Sequence, residues 1–139
     1  MTDHYTSLLA SRYASAEMSA IFSPYSRYTT WRKLWIALAK AQKQLGLTIS
    51  QEQIEEMEEA SHSIDFAKAA IYEKKFGHDV MAHIHVFADQ CPKAGPIIHL
   101  GATSCFVTDN ADLILMKDAL QLLEKKLIQV IRQLCVFAE

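Results

Sequence analysis

The feature that most constrains the fold is an uninterrupted apolar repeat in the last part of the sequence. Its members recur at alternating steps of three and four residues: Leu113, Met116, Leu120, Leu123, Leu127, Val130, Leu134 and Phe137. This spacing is typical of a helix that packs lengthwise against partner helices. A second stripe widens the apolar arc: Ile114, Ala119, Leu122, Ile128 and Cys135. The helix is therefore predicted to need several neighbours.

The two ends of this helix can also be predicted. Thr108, followed by Asp109, is a plausible N-cap with an acidic first turn. No Gly, Asn or Pro interrupts the pattern before Glu139. We therefore expect the sequence to end inside an element, as the N-terminal piece of a longer protein cut in or just after the first helix of a bundle.

Shorter helices are predicted upstream. Ser15 is expected to cap a helix that ends near Phe22, and a core helix with Trp31 and Trp35 on one face is expected to end at Gly46. Its tryptophans lie one helical turn apart, which places both on the same buried side.

Three further helices complete the pattern. Ser50 begins a capping box for an acidic helix through about Ala60, and Asp65 is a good N-cap for a helix that Gly77 interrupts. The next helix is predicted over 79–91, with Pro92 marking its end. No strand alternation is visible. The fold class is therefore predicted to be all-α, with a small N-terminal helical domain (1–107) followed by the first long helix of a central helix bundle (108–139).

Composition excludes several kinds of partner. The formal net charge is −2 and the pI is about 6.3, so no basic surface is expected for nucleic acid. No apolar run approaches the roughly 20 residues of a membrane span. The first five residues resemble no signal peptide. These features predict a cytoplasmic protein without nucleic-acid or membrane partners.

The cysteines predict neither a disulfide framework nor structural zinc. There are three, Cys91, Cys105 and Cys135, widely spaced and without a C-x-x-C pair. We expect them to be reduced and mostly packed in the core.

Three of the six histidines cluster at His78, His83 and His85. Their spacings of five and two do not place the three on one helical face, which disfavours a metal site. His83 and His85 are expected to be surface or half-buried residues. His78 lies where a helix begins, and backbone N–H groups there favour an anionic ligand.

Other candidate anion contacts flank the long helix and the N-terminus. The hydroxyls of Thr103 and Ser104 could donate to a carboxylate or phosphate, or simply cap the helix. His99 is interpreted as ordering its loop through a hydrogen bond. Arg12 beside Tyr13 could hold a phosphate, although a lone Arg near a terminus is more often solvated.

Several motifs together resemble one family. They are, in order, Ala10-Ser11-Arg12-Tyr13-Ala14-Ser15, then Trp31-Arg32-Lys33-Leu34-Trp35, then Gly77-His78-Asp79-Val80-Met81-Ala82-His83, then Cys91-Pro92-Lys93-Ala94, then Ile98-His99-Leu100-Gly101-Ala102-Thr103-Ser104, and finally Asp109-Asn110. Their order and intervals are similar to the N-terminal part of the adenylosuccinate lyases, of the aspartase/fumarase superfamily. The likeness covers nearly the whole chain.

This resemblance implies an all-α homotetramer whose active sites are each built from three subunits. The implied reaction is a β-elimination that releases fumarate from adenylosuccinate or from the succinyl-carboxamide ribotide, with no metal or organic cofactor. The resemblance also implies which residues of this chain contact the substrate. Arg12 and Tyr13 would lie near the nucleotide phosphate, and His78 and Asp79 would orient the substrate. Thr103 and Ser104 would bind carboxylate or phosphate oxygens.

Two points limit what this chain is expected to do by itself. The family's catalytic serine and histidine lie in Ser-Ser-x-Met-Pro and Thr-His motifs, and neither occurs in these 139 residues. The chain alone is therefore expected to be inactive. Gly77 stands where relatives often have Arg, which puts one anion contact in doubt, although Lys74 or Lys75 could reach the same place.

Two alternatives remain open at this point. One is a superfamily member that releases fumarate from another substrate. The other is a non-enzymatic helical module that recruits a partner through the apolar repeat between Leu113 and Phe137.

Overall fold

The computed structural model describes residues 6–139. These residues form seven α-helices and one short 3₁₀-helix, without a β-strand, and the predicted all-α class is confirmed. The helices are α1 (Leu8–Arg12), α2 (Ala16–Ile21), α3 (Pro24–Gln44), α4 (Gln51–Ala60), α5 (Phe66–Phe76), α6 (Asp79–Gln90) and α7 (Ser104–Ala138), and Gly95–Ile97 is the 3₁₀-helix. Of the predicted domains, residues 1–5 lie outside the described part.

Side-chain caps begin most of these helices. The Ser15 hydroxyl accepts from the Met18 N–H at 3.2 Å, and the Asp65 carboxylate accepts from the Lys68 N–H at 2.9 Å. Ser50 forms the complete capping box at the start of α4. The three predicted caps are confirmed, because each supplies an acceptor for an N–H that has no partner within its helix.

Helix α3 begins at Pro24, directly after the end of α2. Ser23 caps it and Pro24 occupies its first turn, where a missing N–H is harmless. The Ser-Pro pair therefore separates the two helices and begins the second one.

The core forms around α3. Trp31 and Trp35 are each 1% exposed, and Trp35 stacks on Phe87 of α6 with ring centroids 6.1 Å apart. Ile54 and Met57 of α4 complete this cluster with 2% and 0% exposure. Burial of such side chains supplies the main stabilising term, about 1.5 to 3 kcal/mol for each large one.

The start of the long helix was predicted wrongly. α7 begins at Ser104 with Thr103 as its N-cap, not at Thr108. The Thr108 hydroxyl instead donates to the Ser104 carbonyl one turn earlier, at 3.3 Å, and to the Asp109 carboxylate at 2.9 Å. A threonine inside a helix can satisfy its hydroxyl in this way without ending the helix. The domain division at 107–108 stays a prediction.

The face of α7 that packs within this chain is not the predicted repeat. Its buried residues recur every four positions: Val107, Ala111, Leu115 and Ala119. They pack α7 against α3 and α2. The predicted repeat is exposed throughout, with exposed fractions between 47% at Met116 and 90% at Phe137. Within residues 6–139, no helix is long and apolar enough to cross a membrane.

The cysteines are free, but only one is packed. Cys91 is buried, whereas Cys105 and Cys135 are exposed on α7, so the expectation of mostly packed thiols was wrong. Burial raises the pKa of the Cys91 thiol to about 11, and the nearby Glu56 carboxylate acts in the same direction. This thiol is therefore protonated and unreactive at neutral pH.

His83 is buried, not surface or half-buried as expected. It is 4% exposed and stacks on Tyr28 with ring centroids 3.6 Å apart, and it meets Trp31 edge-on. Burial, together with a smaller effect of the nearby Arg32 guanidinium, lowers its pKa from 6.5 to about 4. The folded chain therefore holds this imidazole neutral. His85 is half-buried, as predicted.

This burial predicts a loss of stability in mild acid. In the unfolded chain His83 takes up a proton near pH 6.5, whereas the folded chain resists protonation until about pH 4. The stabilisation is complete above pH 6.5 and is lost as the pH falls toward 4, by about 3 kcal/mol. Chemical denaturation across this range should show the decline.

His83→Phe isolates this contribution. Phenylalanine preserves a ring against Tyr28 but cannot be protonated, so the difference in free energy of unfolding between the two proteins should change between pH 6.5 and 4. Two curves that stay parallel would show that His83 is not responsible.

Candidate functional site

The start of α6 places His78 and Asp79 at a helix N-terminus, as predicted for His78. His78 is the N-cap residue, and its Nδ1 accepts from the Met81 N–H at 3.4 Å. Asp79 begins the helix, and its Oδ1 accepts from the N–H of Val80 at 2.7 Å. The other carboxylate oxygen of Asp79 can accept a hydrogen bond from a ligand hydroxyl or amino group.

The start of α7 lies beside the start of α6. The Ser104 Oγ is 3.2 Å from the His78 Nε2, which joins two helix N-termini that are 26 positions apart in the sequence. The exposed Thr103 is the N-cap residue of α7, yet its side chain makes no capping hydrogen bond. The interpretation of Thr103 as a simple capping residue was therefore wrong.

Both ring nitrogens of His78 have polar neighbours. In the tautomer with its proton on Nε2, Nδ1 accepts from the Met81 N–H and Nε2 donates to the Ser104 Oγ. Nδ1 also lies 3.5 Å from the Asp79 Oδ1. The Ser104 hydroxyl hydrogen then remains to be donated elsewhere. With the N–H groups of the first turns of α6 and α7, it forms a set of donors suited to a carboxylate or phosphate.

His99 belongs to the loop that leads into α7. Its Nδ1 accepts from the Trp35 Nε1 at 2.9 Å, so the predicted loop-ordering hydrogen bond is confirmed. Burial lowers the pKa of His99, and the neighbouring His78 lowers it further. His99 therefore stays neutral beside His78, with its remaining ring proton on Nε2.

A second residue of α3 holds the same loop. The Gln42 Nε2 donates to the Leu100 carbonyl at 2.8 Å. Sequence reasoning missed both Gln42 and the role of Trp35. The helical pattern assigned Trp35 to the core, which is correct, but no pattern in the sequence shows where a buried indole N–H points.

Arg12 and Tyr13 are not joined to these residues in the structure. Arg12 is the last residue of α1 and Tyr13 follows it, and both are exposed. In the described part of the chain, no hydrogen bond or ion pair connects either side chain with His78 or Ser104. The structure therefore gathers four of the six predicted contacts, from the starts of α6 and α7.

Gly77 ends α5 in the left-handed conformation, with φ of +64°. Glycine adopts this conformation without the steric penalty of a Cβ atom. Lys74 and Lys75 lie in the last turn of α5, and Lys75 packs over the Phe76 ring at 5.3 Å from its centroid. Neither lysine forms an ion pair with Asp79 among residues 6–139.

Residues 6–139 contain no cluster of three or more His, Cys, Asp or Glu side chains that could hold an ion. What the geometry offers is a set of hydrogen-bond donors at two helix N-termini, with one carboxylate beside them.

Comparisons with known proteins agree with the motifs. The chain is 55% identical over 139 residues to the adenylosuccinate lyase of Saccharomyces cerevisiae, covering 98% of this chain and 29% of that protein. It is 53% identical over 132 residues to the adenylosuccinate lyase of Schistosoma mansoni, covering 95% of this chain and 28% of that protein. A more distant relative, the adenylosuccinate lyase of Methanocaldococcus jannaschii, is 35% identical over 122 residues, or 86% of this chain and 26% of its own length. No protein-family model matches the chain.

The matches also show which portion of these relatives the chain corresponds to. The chain spans about 29% of the length of the curated relatives it matches, and the match lies in their N-terminal portion. Nearly every residue of this chain takes part in the alignment. Over nearly its whole length, the chain is therefore similar to the N-terminal portion of proteins that are all named adenylosuccinate lyase.

Proposed function

We propose that this chain forms the N-terminal part of an enzyme that cleaves adenylosuccinate to AMP and fumarate, and the succinyl-carboxamide ribotide to the carboxamide ribotide and fumarate. Both reactions are β-eliminations of purine nucleotide biosynthesis. A base removes the proton on the carbon next to a carboxylate, the C–N bond breaks, and an acid protonates the departing nitrogen. The names of the relatives support this reaction.

The substrate contacts come from the starts of two helices. Ser104 and Thr103 donate to carboxylate or phosphate oxygens, and His78 orients the substrate through its Nε2 side. Asp79 accepts a hydrogen bond from the same ligand. The observation that carries this assignment is the 3.2 Å contact between His78 and Ser104, which brings the two helix N-termini to one place.

Arg12 and Tyr13 complete the proposed site on the phosphate side. Their support is the Ser-Arg-Tyr-Ala motif, because the structure makes no direct contact between them and His78 or Ser104. Both side chains are exposed and therefore accessible to a ligand. A guanidinium and a phenol side by side suit a phosphate monoester.

The assembly is proposed from the same relationship. We expect a homotetramer in the cytoplasm, with active sites built from several subunits and no added cofactor. The exposed apolar repeat of α7 supports an assembly through this helix, because apolar faces of this length normally pack against partners.

The test is fumarate release from adenylosuccinate, measured for the 139-residue chain and for the product of its full reading frame. We expect activity only in the latter, because these 139 residues contain neither the Ser-Ser-x-Met-Pro nor the Thr-His motif. Activity on argininosuccinate or aspartate instead would point to another fumarate-releasing lyase. No release from any of these substrates would favour the helical interaction module.

A further inference from the structure

Two side chains of α3 hold the loop that leads into α7. The Trp35 Nε1 donates to the His99 Nδ1 at 2.9 Å, and the Gln42 Nε2 donates to the Leu100 carbonyl at 2.8 Å. The two donors lie seven positions apart, about two helical turns, and therefore project from the same face of α3. They attach to adjacent residues of the loop.

This loop has an unfavourable backbone conformation. His99 has φ of +66°, the one positive value among the non-glycine residues that the structure describes, and Gly101 has φ of +68°. A left-handed conformation is disfavoured for residues with a Cβ atom and persists only where the surroundings impose it. Leu100, between them, is 41% exposed and adds little packing. Within the turn, the Leu100 N–H donates to the Ile97 carbonyl at 3.2 Å and the Ala102 N–H donates to the His99 carbonyl at 3.1 Å. The hydrogen bonds from Trp35 and Gln42 are the side-chain contacts that attach this turn to α3.

We propose that Gln42 is a positioning residue of the site, and that it acts together with Trp35. By holding the Leu100 carbonyl, Gln42 keeps the backbone in the conformation that directs Thr103 and Ser104 toward His78. The inference rests on the proposed function, since it assigns these residues to the site that binds the substrate.

The surroundings of Gln42 allow its effect on the loop to be tested separately from any effect on overall stability. Gln42 is partly exposed, and its Oε1 is buried without a hydrogen-bond partner. Leucine at this position would remove one hydrogen bond and one unsatisfied acceptor together, so we expect little change in overall stability. The loop, in contrast, would lose one of its two side-chain hydrogen bonds to α3.

Gln90 provides a matched control. Its Nε2 donates to the Ser63 carbonyl at 3.0 Å, and its Oε1 is likewise buried without a partner. Gln90 lies at the opposite end of α6 from His78. Gln90→Leu therefore makes the same chemical change far from the site.

The experiment compares wild type, Gln42→Leu and Gln90→Leu in the product of the full reading frame. Steady-state fumarate release should show KM raised about tenfold in Gln42→Leu, with kcat changed less than about threefold, because the displaced groups bind the substrate. Hydrogen exchange of the 97–103 segment should also quicken about tenfold in this variant. Gln90→Leu should match wild type in both measurements.

The outcomes are distinguishable. If wild type releases no fumarate from adenylosuccinate, the proposed function fails. If wild type is active and Gln42→Leu shares its KM and its loop exchange, the positioning role of Gln42 is wrong. Equal changes in Gln42→Leu and Gln90→Leu would also overturn it, because both would then report only a general loss of structure.

Discussion

His78→Ala is expected to lower kcat/KM for adenylosuccinate about 100-fold in the product of the full reading frame. The substitution removes the Nε2 group that meets Ser104 at 3.2 Å and the Nδ1 group that caps α6. The hydroxyl of Ser104 then loses its fixed orientation, and the substrate loses a direct contact. A 100-fold loss corresponds to about 2.7 kcal/mol of transition-state stabilisation, within the range for a displaced catalytic or orienting group.

A second variant separates the two functions of this side chain. Asparagine is among the best N-cap residues, so His78→Asn should keep α6 capped while lacking the imidazole. We expect it to be as defective as His78→Ala in fumarate release but close to wild type in thermal unfolding. His62→Ala, at an exposed histidine, is the control and should retain full activity. Normal turnover by His78→Asn would reduce the role of His78 to helix capping.

Arg32→Met is expected to have the largest effect on folding, about 4 kcal/mol of lost stability. Arg32 is 1% exposed, and its Nη1 donates to the carbonyls of Ala60 and Ser63, which connect α4 to α5. Its guanidinium also lies 4.4 Å from the centre of the Phe87 ring. Each hydrogen bond to a charged group contributes about 1.5 to 3 kcal/mol, and methionine leaves both carbonyls without this donor.

The measurement is urea denaturation of wild type, Arg32→Met and Lys33→Met. Lys33 is the exposed neighbour of Arg32 and carries the same charge, so Lys33→Met should change the free energy of unfolding by less than about 0.5 kcal/mol. A similar small effect for Arg32→Met would mean that methionine replaces the guanidinium by packing alone, as happens at some buried ionic sites.

The depressed pKa of Arg32 is consistent with its burial. Desolvation lowers the pKa of the guanidinium to about 10, which still leaves it charged at neutral pH. A buried cation of this kind is tolerated because carbonyl oxygens and an aromatic face replace part of its hydration. No pattern in the sequence indicates this burial, since Arg32 is followed directly by a second cationic residue, Lys33.

Local chemistry made the helices predictable. Ser15, Ser50 and Asp65 were identified as caps because each offers a short polar side chain ahead of a helical run, and this signal lies entirely within a few adjacent residues. Gly77 was identified as a break for the same reason. The position of His78 at a helix N-terminus followed from these boundaries.

Long-range contacts were not predictable from such signals. Thr108 followed by Asp109 matches the local pattern of an N-cap, but α7 begins at Ser104. Its first buried residue, Val107, already packs into the core at 0% exposure. His83 resembled an ordinary surface histidine, yet it stacks on Tyr28, 55 positions earlier in the chain. Both outcomes depend on which residues of other helices lie opposite.

The sequence by itself determined the all-α class, the capped helix starts and the residue types that can bind an anion, because each depends on neighbours within one or two turns. Only the tertiary structure decided that His78 and Ser104 meet, and that Trp35 and Gln42 tether the loop between them. The physical reason is that these contacts join atoms from α3, α6 and α7. Their distances are fixed by how the buried faces of those helices pack together, and no local pattern encodes that packing.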